Sequence, residues 1–152
     1  MAVSAGNSAE YGCNSVTDPP ATSTEVFTVG SVNQSAELSK FSSSGPVSVN
    51  GVTYYKPNIL APGENILLLA PRNTYSMGSG TSFAAPHVSG VVALMWSANP
   101  ALIGDVDTTL NILLETVKPF TGIRPDCENT MYFDNIGVLD AYAAVQAAIG
   151  LK

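Results

Sequence analysis

The segment from Gly80 to Ala98 constrains this chain more than any other. After a Gly-rich approach, Ser76-Met77-Gly78-Ser79-Gly80, residues 82–98 space themselves as a helix that is apolar almost all round. Such a helix is expected at the centre of a domain, with layers on more than one side. Gly90 inside it is unfavourable by about 1 kcal/mol relative to Ala, which predicts a neighbouring backbone packed close to it. Strands come first. Residues 25–32 are rich in β-branched and aromatic side chains and end at Asn33-Gln34-Ser35. Residues 47–55 carry Asn50-Gly51, the signature of a two-residue hairpin turn. Ile66–Ala70 is a short apolar run bounded by Pro62-Gly63 and Pro71, and it reads as another buried strand. Two more helices follow: about 105–117, with Asp105 or Asp107 as N-cap and Pro119 just past its end, and about 138–149, Ala-rich and closed by Gly150. Buried strands followed by helices predict an α/β domain on a parallel sheet, and no internal repeat or long linker interrupts it.

Composition narrows the function. At 152 residues the chain has the size of one domain, and 45% hydrophobic against 12% charged residues excludes a disordered tail. The net charge is −6, and the six cations, Lys40, Lys56, Arg72, Lys118, Arg124 and Lys152, are scattered, which argues against a nucleic-acid surface. No apolar run approaches a membrane span; the longest, residues 91–96, belongs to the first helix. Residues 1–7 lack a basic leader and a cleavage site. They read as the end of a buried strand entering a Gly turn, which predicts further sequence upstream. Cys13 and Cys127 lack the paired spacing of a zinc site, and their separation fits two free thiols as well as one disulfide.

Ser82 stands at the mouth of the first helix, where a serine can serve simply as a cap. Its surroundings say more. Gly80-Thr81-Ser82-Phe83-Ala84-Ala85-Pro86-His87-Val88-Ser89-Gly90 resembles the Gly-Thr-Ser-x-Ala-x-Pro-x-x-x-Gly nucleophile motif of the subtilisin family, with every fixed position present. The resemblance implies that Ser82 is the nucleophile, flanked by Gly80 and Thr81 at the substrate site, and that its backbone N–H is one oxyanion donor at a helix N-terminus. Ser4-Ala5-Gly6-Asn7 resembles the family's Ala-Gly-Asn strand end. On that likeness Asn7 is the second oxyanion donor, and the backbone of Ser4, Ala5 and Gly6 walls the substrate pocket.

Further landmarks fall in order. Phe27-Thr28-Val29-Gly30-Ser31 resembles the family's Val-Gly strand end. Phe41-Ser42-Ser43-Ser44-Gly45-Pro46 resembles its Phe-Ser-Ser-x-Gly-Pro turn, with Ser44 where many relatives have Arg, a change expected to alter a surface contact. Lys56-Pro57-Asn58-Ile59-Leu60-Ala61-Pro62-Gly63 resembles a Lys-Pro-Asp-Ile-x-Ala-Pro-Gly segment, with Asn58 replacing the usual Asp. Gly137-Val138-Leu139-Asp140-Ala141 resembles the closing Gly-x-Leu-Asp-Ala. A Cys beside the substrate loop, as Cys13 is, points within the family to the secreted bacillopeptidase F-like group. With it come export and a disulfide.

The resemblance therefore implies that residues 1–152 are the C-terminal half of a subtilisin-like three-layer α/β domain, a serine endopeptidase when completed by an N-terminal half. The family's catalytic Asp and His lie upstream of the Ala-Gly-Asn strand, so the chain alone is expected to be inactive. His87 is the only histidine; five residues beyond Ser82, it projects about 140° away around the helix, at a position where the family commonly has a His that is not the base. The alternative function is a non-catalytic binding or assembly unit, pairing with an N-terminal half or with itself through an exposed sheet edge. An esterase of the α/β-hydrolase kind would need a Gly-x-Ser-x-Gly elbow, which is absent. Peptide or protein is the expected substrate, with neither nucleic acid nor membrane as partner. No metal or cofactor site is written in the side chains; calcium in the complete domain would use the other half, or carbonyls near residues 21–26. Asp18, placed by its spacing from Asn7 and from Pro19-Pro20, falls near the base of the pocket for the substrate side chain preceding the cut. There it would pair with Lys or Arg, whereas in a surface loop it would do nothing of the kind. Pro20 is expected to follow a cis bond. Asn33-Gln34-Ser35 fits a glycosylation sequon, relevant only in a eukaryotic host.

Overall fold

The computed structural model describes residues 1–123, 133 and 136–151; Arg124, Cys127 and Lys152 lie outside them. Its organising element is β2, Phe27–Val32, whose six residues are all buried. It pairs in parallel with β1 (Ala2–Ser4) on one side and β5 (Ile59–Pro62) on the other. β9 (Gly137–Val138) continues the parallel run, and β8 (Lys118–Pro119) closes it antiparallel, giving the order β1-β2-β5-β9-β8. Strands buried on both faces need apolar residues at every position, which explains the unbroken run in β5. Ile59 and Ala61 join Phe27 and Val29 under the helices, while Leu60 turns to a second cluster with Val32, Phe120 and Ile136. The α/β class expected from the sequence is the one observed.

Helix α1, Thr81–Ala98, packs across β1, β2 and β5 and against α3, Ala141–Gly150. Its buried residues, Thr81, Ala84, Val88, Val91 and Met95, fall on a single stripe. The opposite stripe, which includes Pro86, Gly90, Ala93, Leu94 and Ser97, is exposed. The expectation of a helix covered all round is therefore corrected, and so is the account of Gly90: a Cβ there would meet nothing within 4 Å. Helix α2, Val106–Glu115, is shorter than expected and is capped by Asp105, which accepts a bond from Thr108 N–H at 3.1 Å. The last helix begins at Ala141, capped by Asp140, because Gly137 and Val138 are drawn into the sheet.

Two hairpins lie outside the main sheet. β3 (Val47–Val49) and β4 (Val52–Tyr54) turn at Asn50-Gly51, both with positive φ, as the dipeptide predicts. The run Ile66–Ala70 forms β6, which pairs antiparallel with β7, Thr74–Gly78, rather than joining the parallel sheet. It is not the buried strand expected: Leu67 and Leu69 are 64% and 76% exposed. Ser44 is buried rather than at the surface, its N–H donating to Ser15 Oγ at 3.1 Å. Asn33 of the sequon is engaged in its own turn, accepting from Ser35 and Glu37 N–H and donating to the Glu37 carboxylate.

Candidate active site

The position of the α1 N-terminus is set from β5. Gly80 N–H donates to Gly63 O at 2.8 Å, just beyond the end of that strand. The approach needs glycine at 63, since a Cβ would stand 2.6 Å from Ser31 Oγ and 2.7 Å from Gly80 O. α1 thus starts at a point fixed by the sheet, with its unpaired N–H groups directed at the end of β1.

Asn7 meets it there. Its Oδ1 accepts Thr81 N–H at 2.9 Å and the Thr81 hydroxyl at 3.1 Å. Because a backbone N–H can only donate, the atom facing Thr81 must be the amide oxygen, and the NH₂ group must face away. That nitrogen lies beside Gly80, 3.3 Å from where a Cβ would sit, and donates to no acceptor among the described residues. Thr81 is fully buried, and its hydroxyl also accepts Gly6 N–H at 3.1 Å. The turn is pinned from behind as well: Ser43 N–H donates to Gly6 O at 2.9 Å, and Ser43 Oγ accepts Ser8 N–H at 2.9 Å. Gly6 has φ of +107°, and a Cβ there would lie 2.9 Å from Ser43 Oγ, so only glycine fits.

Ser82 is the second residue of α1, with its side chain exposed. Among the described residues its backbone N–H finds no acceptor, while Phe83 N–H bonds back to Gly80 O. The Asn7 amide nitrogen, beside Gly80, and the Ser82 N–H, in the first turn of α1, are thus two donors without an acceptor among the described residues at a helix N-terminus, where negative charge is favoured. Beside them opens a cleft of about 390 Å³ lined by Ser4, Ala5, Gly6, Asp18 and Ser82 together with the Pro19-Pro20 loop. The Pro19–Pro20 bond is cis, as expected.

The candidate residues thus divide. Ser4, Ala5, Gly6, Asp18 and Ser82 share the cleft, whereas Asn7, Gly80 and Thr81 are outside its lining: Thr81 bonds the Asn7 amide oxygen, and Gly80 lies beside the amide nitrogen. The sequence did not disclose the part played by Ser43, although the Ser-Ser turn was visible as a motif. His87 is exposed, outside the cleft, and its Nδ1 lies 2.7 Å from Phe83 O. Among the described residues the carboxylates held below their usual range are helix caps: Asp105 by Thr108 N–H, and Asp140 by Ala143 N–H and then by Lys118. Lys56 is almost wholly buried, and burial lowers its pKa; the ammonium donates to Val26 O at 2.7 Å and Asn58 Oδ1 at 3.1 Å. Among the described residues no group of three or more His, Cys, Asp or Glu side chains could hold a metal ion. Cys13 is disulfide-bonded.

The subtilase family model matches residues 1–135. Bacillopeptidase F of Bacillus subtilis (strain 168) is 40% identical over 130 residues, covering 84% of this chain and 9% of its own length. Subtilisin E of the same organism is 31% identical over 146 residues, covering 96% of this chain and 33% of its own. Among solved structures, the patellamide maturation protease PatA superposes with a TM-score of 0.68 at 30% identity, over 97% of this chain and 50% of that one. The prenylagaramide maturation protease PagA gives 0.69 at 27% identity, over 99% and 50%. The chain belongs to the subtilase family. It spans a third or less of these curated relatives and about half of these solved chains.

Proposed function

We propose that this chain is the nucleophile-bearing half of a serine endopeptidase domain. The observation that carries this reading is the locked amide of Asn7: Thr81, the residue before Ser82, takes its oxygen, so its NH₂ is left free to donate at the N-terminus of the helix that bears Ser82. Ser82 Oγ attacks a peptide carbonyl bound in the cleft, while a base takes its proton. The carbonyl electrons move to oxygen, where the Asn7 amide and Ser82 N–H receive the charge. Collapse expels the amine, which takes the proton from that base, and water then releases the acyl group from Ser82.

The base is not in this chain. The sole imidazole is engaged with Phe83 O on the far side of α1, so a His and its orienting Asp must come from an N-terminal half, and the chain by itself is inactive. The exposed stripe of α1 and the edge position of β1 support such a completing half. The same surfaces also favour, as a second reading, a non-catalytic assembly unit. Export is supported by the disulfide at Cys13, since such bonds persist in oxidising compartments.

A fluorophosphonate probe tests the reading. The chain mixed with an N-terminal half of a related subtilase is expected to become labelled, the chain alone and Ser82→Ala are not. Labelling of Ser82→Ala to the same extent would refute the nucleophile assignment, and labelling of the chain alone would refute the missing base.

A further inference from the structure

The segment between β2 and β3 buries four serines, Ser39, Ser42, Ser43 and Ser44. Hydroxyl groups in a core need partners, and the bonds these residues make show what the segment holds. Ser39 Oγ lies 2.9 Å from Ser31 Oγ, and Ser42 Oγ accepts Ser31 N–H of β2 at 3.0 Å. Ser44 N–H donates to Ser15 Oγ at 3.1 Å, and Gly45 N–H donates to Lys56 O at 2.7 Å. The turn is therefore fixed to the body of the domain on both sides of Ser43. Ser43 itself reaches the other way. Its N–H donates to Gly6 O and its Oγ accepts Ser8 N–H, both at 2.9 Å, while Phe41 O takes Ala9 N–H at 3.2 Å. One residue thus grips the chain immediately before and immediately after Asn7, 36 positions away in sequence. Thr81 holds the amide oxygen of Asn7 from the opposite side.

We propose that Ser43 is a positioning residue: its hydroxyl, acting through Ser8 N–H, sets where the Asn7 amide stands and so how well that amide meets the oxyanion. This role rests on the reading of Asn7 and Ser82 given above. The bond from Ser43 N–H to Gly6 O belongs to the backbone and survives any replacement of the side chain except by proline. The hydroxyl is the part that a side-chain change removes, and without it the turn is held by Ser43 on one side of Asn7 only. Hydrogen bonds weaken steeply as distance and angle drift, so a displaced amide is a poorer donor. The oxyanion forms in the transition state and is absent from the bound substrate, so the loss falls on kcat and leaves KM nearly untouched. Ser42 supplies the contrast. Its hydroxyl is equally buried, yet it serves β2 and makes no bond to the Asn7 turn.

The first test needs no turnover. Amide hydrogen exchange, followed by NMR in the chain itself, reads the bond from Thr81 N–H to Asn7 Oδ1. Relative to the β2 amides, Ser43→Ala is expected to speed Thr81 exchange about tenfold, and Ser42→Ala to leave it unchanged. Equal acceleration in the two variants, or none in Ser43→Ala, overturns the proposal. The second test uses the completed protease. Ser43→Ala is expected to lower kcat about tenfold to a hundredfold with KM nearly constant, and to add nothing once Asn7→Ala is present. An unchanged kcat, or a loss that persists in full in the Asn7→Ala background, overturns it. Should Ser43→Ala not fold, a synthetic segment 1–12 ligated at Cys13, with an ester in place of Ser8 N–H, removes the same bond and is held to the same outcomes. Thr81 exchange that responds to Ser43→Ala in a completed protein that cleaves no peptide upholds the positioning of Asn7 and overturns the endopeptidase reading instead.

Discussion

Asn58→Asp is expected to stabilise this chain, for reasons readable around Lys56. Lys56 is 3% exposed, yet the two described partners of its ammonium, Val26 O and Asn58 Oδ1, are neutral. Asn58 Oδ1 also accepts Thr28 N–H at 2.8 Å, so a carboxylate oxygen at the same place keeps both bonds. The amide nitrogen that the substitution removes donates to nothing among the described residues. What changes is charge. A bond from an ammonium to a neutral amide, already worth about 1.5–3 kcal/mol, becomes one between two ions, and a direct charge attraction is added to it. Desolvation of the new carboxylate opposes this, as do Glu25 and Asp107, which line the same cavity as Asn58. A net gain of about 1 kcal/mol follows, or about 2–4 °C in Tm for a chain of this size.

The pH dependence carries the sharper signature. In the native chain burial lowers the Lys56 pKa below 10.5, so the folded state binds this proton less tightly than the unfolded one. Its stability therefore rises with pH between that lowered value and 10.5. A carboxylate at position 58 raises the folded pKa, and the added stability is full at neutral pH and lost as pH rises through it. Urea melts of both proteins at pH 7 and at pH 10–11 measure the difference. An Asn58→Asp protein no more stable than the parent at pH 7, or one whose advantage is equal at both pH values, refutes the reasoning.

Thr81→Val removes the hydroxyl that bonds Asn7 Oδ1 and receives Gly6 N–H; it is expected to destabilise by about 1–3 kcal/mol in urea melts and to lower kcat of the completed enzyme more than it raises KM. Asp140→Ala removes the α3 cap and the 3.1 Å pair with Lys118, and about 1 kcal/mol of stability is expected to go with it. Because the folded pKa of Asp140 is lowered, that contribution is present above the usual carboxylate pKa and fades as pH falls through the lowered value. Melts of the two proteins at pH 7 and pH 2 are expected to converge at the acidic end.

Much of this architecture is legible in the chain because it rests on local chemistry. Asn50-Gly51 dictates its hairpin, Asp105 and Asp140 announce their helices, and the β-branched run of β2 marks a strand buried on both faces. Residues missed or misplaced depend on partners distant in sequence or on surfaces left open. An all-apolar helix pattern reports which faces of α1 avoid polar groups, not what covers them; the side with Gly90 and Leu94 is bare. Ile66–Ala70 reads as buried for the same reason, since apolar residues point to both sides of its hairpin. Two-residue β9 is too short to show a period. Ser82 and Asn7 were visible through their motifs. The lock on Asn7 was not, because it joins residues 74 positions apart and a buried threonine looks like any other.

The central claim is that Ser82 attacks while Asn7 and the Ser82 N–H hold the oxyanion. The most direct measurement maps the fluorophosphonate adduct of the completed protein by tandem mass spectrometry and compares labelling rates with Asn7→Ala. The account predicts an adduct on Ser82 and a rate reduced about a hundredfold or more in Asn7→Ala, a size taken from removal of the corresponding donor in subtilisin, itself a member of this family. An adduct on any other residue, or an undiminished rate without the Asn7 amide, would contradict it.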